Sequence, residues 1–174
     1  MIIALDSVGK IAKSIAIAFD PAEIDLEGEN VTLKGKAKFA GESQLVNDKT
    51  HVRGKTSADI LLNCTRCLEP VEKHLDVSFD DVFVDAIGEP LVDEIEIGAD
   101  KFDESLVTDG KIDMAEVVRE QILLALPDQI FCKEDCKGLC PKCGANRNLI
   151  DCKCADDEID PRWAALKKIV NRES

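Results

Sequence analysis

The sequence predicts an α+β fold: an antiparallel, β-rich N-terminal domain followed by a helix, a small Cys-rich module and a C-terminal helix. Three observations favour it. Alternating apolar and polar residues recur through the N-terminal half, a helical pattern begins only at Asp113, and six of the eight cysteines lie between Cys132 and Cys154. Such alternation fits half-buried antiparallel strands. We therefore expect a β-rich domain over residues 1–127 and a module over residues 128–174.

Four runs of residues predict strands: 13–19, 31–39, 56–62 and 71–79. In the last run the odd-numbered residues from Val71 to Phe79 share one face. The apolar phase then slips at residues 82–84, so we expect a β-bulge there. The predicted turns are Asp20-Pro21, residues 27–30, Gly41, Asn47-Asp48 and residues 88–90.

Two helices are predicted. Asp113 is the expected cap of the first helix, with Glu116 at the spacing of a capping box. Apolar residues then recur at helical spacing until Pro127, which ends the helix. This helix, 113–126, is expected to close the β-rich domain. A second helix, 161–171, begins after an aspartate cap with proline in the first helical position.

Composition and charge narrow the function classes. The chain has 174 residues and a formal net charge of −13. Residues 1–131 carry −14 and residues 132–174 carry +1, so the larger part repels nucleic acid. No stretch approaches the roughly 18 apolar residues that span a membrane. The first residues lack the features of a secretory signal, so we expect a cytoplasmic protein with no membrane partner.

The cysteines near the C-terminus predict a structural zinc site. Zinc prefers four tetrahedral ligands, and loops with ligands two to four residues apart supply them. Few large apolar residues lie in this segment, so something other than a hydrophobic core must order it, and the binding free energy of a metal can do so. Cys140 and Cys143 are the preferred first pair. Four ligands are expected from six candidates: Cys132, Cys136, Cys140, Cys143, Cys152 and Cys154. Disulfides, a redox couple and an iron–sulfur cluster are the alternatives.

Cys64 and Cys67 form a separate Cys-x-x-Cys pair at the end of a predicted strand. They could complete a second zinc site with two cysteines of the module, since eight cysteines fill two four-thiolate sites. They could form a redox pair, although that chemistry favours a helix N-terminus. They could also be free thiols in a turn. Arg66 between them could contact RNA phosphate, another protein or the thiolates.

Nothing in the sequence predicts an enzyme or a small-molecule substrate. Phosphate-binding glycine loops, the nucleophile elbow and the helical zinc-protease motif are all absent. His51 and His74 are expected at the surface. The basic residues of the module are candidate RNA contacts, or else they offset thiolate charge; they are Lys137, Lys142, Arg147 and Lys153.

Three segments together resemble the YceD family, described as large ribosomal RNA subunit accumulation proteins. They are Cys64-Thr65-Arg66-Cys67-Leu68-Glu69-Pro70, the helical segment ending at Pro127, and the run from Cys136 through Cys154 to Asp160-Pro161-Arg162-Trp163. The resemblance implies a role in ribosome biogenesis, through accumulation or processing of large-subunit ribosomal RNA, without enzymatic activity.

Two classes of function follow. The first is an assembly factor in which the acidic domain binds a basic ribosomal protein or a pre-subunit. The second is direct binding of the large-subunit ribosomal RNA precursor through the module, where Lys133, Arg162, Lys167 and Lys168 add positive charge. A thiol redox protein is a distant third.

Overall fold

A computed structural model describes residues 1–26, 30–86 and 104–154. Its strands are β1 (Ile2–Ala4), β2 (Lys13–Phe19), β3 (Val31–Leu33), β4 (Ala37–Val46), β5 (Lys49–Asn63), β6 (Pro70–Asp85), β7 (Glu104–Val107) and β8 (Lys111–Asp113), and its helix is α1 (Met114–Leu124). Within these ranges the protein is rich in strands with one α-helix, in agreement with the predicted α+β class. In the same ranges, no helix has the length and apolar character needed to cross a membrane.

The main sheet has the strand order β2-β4-β5-β6-β7, and β3 pairs with the far end of β5. All pairs are antiparallel except β6 with β7, which is parallel. The long hairpin of β5 and β6 is the centre of the sheet, and its register runs from Thr50 opposite Phe83 to Asn63 opposite Pro70. A separate small sheet joins β1 to β8.

The core lies on one face of the main sheet. Even-numbered residues of β5 point into it, and Val52 and Ile60 among them are fully buried. Helix α1 contacts β5 and β6 and buries Val118 and Ile122 against that face. The opposite face carries ion pairs between neighbouring strands, such as Lys55 with Asp76. One-sided burial explains the alternating pattern that predicted these strands.

Two glycines, Gly41 and Gly54, lie directly opposite each other in the paired strands β4 and β5. A Cβ atom at Gly41 would lie 2.2 Å from the carbonyl oxygen of Arg53, and one at Gly54 would lie 2.6 Å from the Cα of Gly41. The ring of Phe39 covers the pair and packs on Phe79 at a centroid distance of 5.5 Å. The predicted turn at Gly41 is therefore wrong: this glycine lies inside a strand and makes room for an aromatic ring.

The predicted bulge at residues 82–84 is also wrong. The register of β6 against β5 is continuous, and Asp81 takes an inward-facing position between Phe79 and Phe83. Its carboxylate accepts a hydrogen bond from Nε2 of Gln121 in α1 at 3.0 Å. A polar residue in an apolar row therefore accounts for the irregular pattern, because the helix supplies its partner.

Other elements differ from the predictions in their limits. The single strand expected over 31–39 is two strands, β3 and β4, and the strand expected over 56–62 extends to Lys49–Asn63. Asn47 and Asp48 form the predicted turn, both with positive φ. Asp113 caps α1 by accepting a hydrogen bond from the N–H of Ala115, whereas Glu116 pairs with Arg119. The predicted helix 161–171 and the turn at 88–90 lie outside the described residues.

Candidate metal centre

The eight cysteines form two groups of four. We call Cys64, Cys67, Cys132 and Cys136 the first cluster, and Cys140, Cys143, Cys152 and Cys154 the second cluster. Within each cluster the Sγ atoms all lie within 4.8 Å of one another. Either cluster could therefore hold a metal ion.

The first cluster joins distant parts of the chain. Cys64 and Cys67 lie in the turn that connects β5 to β6. The segment after α1 returns to this turn, where the carbonyl of Ile130 accepts hydrogen bonds from the backbone N–H of Thr65 at 2.9 Å and from its hydroxyl at 3.1 Å. The cluster is thus built half from the sheet and half from the segment that follows the helix.

The sulfur positions in the first cluster suit one tetrahedral ion. The Sγ atoms of Cys64 and Cys136 are 3.8 Å apart, and those of Cys67 and Cys132 are 3.5 Å apart. Metal–sulfur bonds of about 2.3 Å in a tetrahedron place sulfurs about 3.8 Å apart, whereas a disulfide bond is about 2.05 Å long. Three of these four residues are buried, and Cys132 is exposed.

The two Cys-x-x-Cys turns have the same backbone structure. In each, the N–H of the first cysteine donates to a carbonyl five residues later, and its carbonyl accepts from the N–H four residues later. The bonds join Cys64 to Glu69 and Leu68 in one turn, and Cys140 to Ala145 and Gly144 in the other. The residue after the second cysteine has positive φ in both, 63° at Leu68 and 71° at Gly144. The sequence does not reveal this likeness, because a leucine replaces the expected glycine in the first turn.

Backbone hydrogen bonds favour thiolates in both turns. Burial opposes ionisation of Cys64, but N–H groups, those of Cys67 and Arg66 foremost, lower the pKa of its thiol to about 6. The N–H groups of Cys143 and Lys142 likewise lower the pKa of Cys140 to about 6, against the effect of burial.

Crowding of sulfurs has the opposite effect on one member of each cluster. Cys67 beside it, together with burial, raises the pKa of Cys132 to about 12. Cys143 and burial raise the pKa of Cys154 to about 12. Each cluster therefore stabilises some thiolates but resists complete ionisation. A divalent cation at its centre would favour all four thiolates, because opposite charge favours the ionised form.

The basic residues of this region lie close to the thiols. Arg66 donates to the backbone carbonyl of Cys136 at 3.1 Å, and its guanidinium stacks on Phe131 at 4.0 Å. Cys140, foremost, and burial raise the pKa of the Cys152 thiol, and a hydrogen bond from Arg147 opposes this shift. Lys137, Lys142 and Lys153 are exposed, whereas Arg147 is half-buried. Arg66 and Arg147 thus support the cysteine clusters.

Three polar residues have roles that the sequence reasoning did not assign. Nδ2 of Asn148 donates to Sγ of Cys136 at 3.3 Å. Nδ2 of Asn146 donates to Glu69 at 3.3 Å, and Oδ1 of Asn146 accepts from the N–H of Asn148 at 3.0 Å. The sequence Asn146-Arg147-Asn148 was the available signal for these roles, since asparagine side chains commonly form hydrogen bonds with nearby backbone.

The structure divides the six candidate ligands of the module between the two clusters. Cys140 and Cys143 meet Cys152 and Cys154, while Cys132 and Cys136 meet the upstream pair. Cys64 and Cys67 are thus not isolated thiols in a turn. They also lie between two antiparallel strands, without the helix N-terminus that redox pairs favour. His51 and His74 lie on the outer face of the sheet, paired with Asp80 and Asp59.

The chain is similar to a family model and to two bacterial proteins. The sequence model described as "Large ribosomal RNA subunit accumulation protein YceD" matches residues 52–170, which include all eight cysteines. The uncharacterized protein Rv2926c of Mycobacterium tuberculosis is 31% identical over 88% of this chain and 72% of its own length. The uncharacterized protein YlbN of Bacillus subtilis is 32% identical over 82% and 76%.

A plant relative carries a descriptive name. The "Large ribosomal RNA subunit accumulation protein YCED homolog 1, chloroplastic" of Arabidopsis thaliana is 36% identical over 32% of this chain and 17% of its own length. No solved structure matches the chain.

Proposed function

Since the chain belongs to the YceD family of large ribosomal RNA subunit accumulation proteins, we propose that it supports accumulation or processing of large-subunit ribosomal RNA by binding, without catalysis, and that zinc in both cysteine clusters builds its binding module. The family match carries the first part of this proposal. The two sets of four converging sulfurs carry the second.

Zinc is the metal that the sulfur geometry favours. Four sulfurs in a tetrahedral arrangement select zinc or an iron–sulfur cluster. The separations of 3.5 and 3.8 Å in the first cluster match one ion bound to all four sulfurs. In the first cluster, zinc would bind the sheet to the segment after α1. In the second, it would close a loop whose leucine and isoleucine, Leu149 and Ile150, are exposed and cannot form a core.

Charge favours a basic ribosomal protein as the partner. Residues 64–67 and 132–154, which include all eight cysteines, have six basic and three acidic side chains, a net charge of +3 when the cysteines are neutral. Two zinc ions bound to eight thiolates add −4, so these loaded segments become slightly negative, with the same sign as the rest of the protein. An acidic surface attracts a basic protein and repels a phosphate backbone.

A pull-down with and without ribonuclease tests the class of partner. We expect a ribosomal protein that remains bound after RNA is digested. Exposed acidic residues without ion pairs among the described residues are suitable for charge reversal, and we choose Asp109→Lys, Glu120→Lys and Asp128→Lys. These variants should bind a basic protein more weakly, and added salt should weaken binding of the unmodified chain.

Direct RNA binding predicts the opposite sign. The same reversals would leave RNA affinity unchanged or raise it, and Lys137→Gln with Lys153→Gln would lower it and reduce its salt dependence. Both lysines are exposed, as are the three acidic residues, so the two sets of variants differ in the sign of the charge that is changed. If the partner is lost after ribonuclease treatment and the variants show this pattern, the partner is RNA and not a ribosomal protein.

A further inference from the structure

Residues 137–148 form a short hairpin whose tip is the second Cys-x-x-Cys turn. The N–H of Cys140 donates to the carbonyl of Ala145 at 2.8 Å, and the N–H of Arg147 donates to the carbonyl of Gly138 at 2.9 Å. The hairpin starts directly after Cys136 of the first cluster. The hairpin therefore connects the second Cys-x-x-Cys turn directly to the first cluster.

Asn148 lies at the open end of this hairpin and faces the first cluster. Its Nδ2 donates to Sγ of Cys136 at 3.3 Å, and its Oδ1 accepts from the N–H of Lys137 at 3.0 Å. Although it belongs to the loop between Cys143 and Cys152 of the second cluster, its amide contacts a sulfur of the first. It is the only non-cysteine side chain for which a hydrogen bond to a first-cluster sulfur is found within the described residues.

The hairpin also rests on the first Cys-x-x-Cys turn through its backbone. The N–H of Leu139 donates to the carbonyl of Arg66 at 2.9 Å. Gly138, with φ of 71°, permits this approach, since a Cβ there would lie 3.0 Å from the same carbonyl oxygen. The hairpin is thus anchored to the first turn, and Asn148 lies at its open end.

We propose that Asn148 couples the two metal sites, so that zinc in the second cluster strengthens binding of zinc in the first. This inference rests on the proposed zinc sites. Zinc at the second cluster fixes the tip and the return of the loop, and the closed hairpin presents the Asn148 amide to the Cys136 thiolate. Hydrogen bonds to ligating atoms orient them and are worth about 10–100-fold in metal affinity. Coupling is reciprocal, so the first zinc strengthens the second equally.

Native mass spectrometry of the full chain at sub-saturating zinc tests this coupling. Coupled sites leave mostly chains with either no zinc or two. In Asn148→Ala, chains with one zinc should accumulate, and competition with a chelator should show a loss of about tenfold or more in affinity of the first site. Cobalt(II) absorption, which reports tetrahedral thiolate ligation, identifies the loaded site when one cluster is removed by Cys152→Ser.

Asn148→Asp separates the hydrogen bond that this side chain accepts from those that it donates. Aspartate keeps the oxygen that accepts from Lys137 but, when ionised, can donate neither to the Cys136 sulfur nor to Oδ1 of Asn146. If Asn148 acts only through the bond that it accepts from Lys137, this variant behaves like the unmodified protein, and the proposal is overturned. If the amide donor provides the coupling, it loses at least as much affinity as Asn148→Ala. Asn63→Ala is the matched control, because Asn63 is exposed beside Cys64, and its loading should be unchanged.

The second-cluster variant completes the cycle. With Cys152→Ser in place, the first site should already be weakened, and adding Asn148→Ala should reduce its affinity little further. Equal effects of Asn148→Ala with and without an intact second cluster would show independent sites and contradict the coupling. A chain that binds no zinc at all would instead contradict the proposed function.

Discussion

At the scale of single residues, backbone amides favour the thiolates in both Cys-x-x-Cys turns. The pKa of Cys64 and that of Cys140 are both lowered to about 6, in each case through N–H groups of the turn itself. Such donors are placed only when the turn has its correct backbone conformation. The residue with positive φ that ends each turn would therefore support binding of the proposed zinc as well as folding.

Gly144→Ala isolates the contribution of that conformation. Nothing lies within 4 Å of a Cβ at Gly144, so the substitution meets no obstacle and its cost comes from φ of 71° alone. We expect a loss of about 1 kcal/mol in the free energy of unfolding of the zinc-loaded protein, measured in urea. Leu68→Gly is the reverse test at φ of 63°, and because Leu68 is 60% exposed it should be neutral or slightly stabilising. Unchanged stability of Gly144→Ala would contradict this.

Asp81 gives a pH-dependent prediction. Burial, foremost, and Asp80 raise the pKa of Asp81, while the hydrogen bond from Gln121 opposes the shift. A carboxyl whose folded pKa exceeds its unfolded pKa destabilises the fold once ionised, so its penalty appears as pH rises through the folded pKa. Asp81→Asn retains an oxygen that accepts from Gln121. It should raise the melting temperature at neutral pH, and the gain should vanish below the ordinary carboxyl pKa. A gain that is the same at every pH would be evidence against this cause.

At the scale of elements, the pairing of β4 with β5 depends on two opposed glycines beneath an aromatic ring. Gly54→Ala places a Cβ 2.6 Å from the carbonyl oxygen of Ala40, which belongs to the backbone and cannot move aside. We expect a loss of about 2 kcal/mol or more, measured by thermal or urea unfolding. Gly35→Ala is the matched control, because a Cβ there has no neighbour within 4 Å. Similar stabilities for the two variants would refute this explanation.

Local patterns predicted most of the elements, and their errors have a common cause. Alternation predicted β2 and the hairpin of β5 and β6, and Asp113 predicted the start of α1. The errors at Gly41 and at residues 82–84 arose because each residue's meaning depends on a partner from another element. Gly41 accommodates Gly54 and Phe39, and Asp81 is satisfied by Gln121. No spacing within a strand reveals such partners.

The two cysteine clusters were likewise only partly predictable from the sequence. Spacing identified Cys140 with Cys143, and Cys64 with Cys67, as pairs that can share a metal. Which pairs combine depends on the path of the chain after α1, where Ile130 contacts Thr65. The sequence therefore left four ligands to be chosen from six, with the second site as one of three alternatives for the upstream pair.

At the scale of the whole molecule, the two clusters should contribute differently to stability. The first cluster joins the β5–β6 turn to residues 132–136, whereas the second lies entirely within residues 140–154. We expect Cys140→Ser to lower hydrogen-exchange protection only after residue 136, leaving the sheet protected. Cys64→Ser should lower it in the module and also at the paired ends of β5 and β6.

Equal effects of Cys140→Ser and Cys64→Ser on hydrogen-exchange protection would contradict this assignment. If both lost protection throughout the chain, the module and sheet would unfold as one unit whichever metal is removed. If both lost it only in the module, the first cluster would not support the sheet. Thr32→Ala, an exposed substitution in β3, controls for general effects of mutation on exchange.

The most direct test of two zinc sites that share eight cysteines is the metal content of the untagged protein. Elemental analysis of the purified full chain should return two equivalents of zinc, falling to one in Cys140→Ser. Removal of zinc by a chelator should make residues 132–154 disordered. A chain that is purified without metal, with its thiols reduced and its module still protected from exchange, would contradict the account.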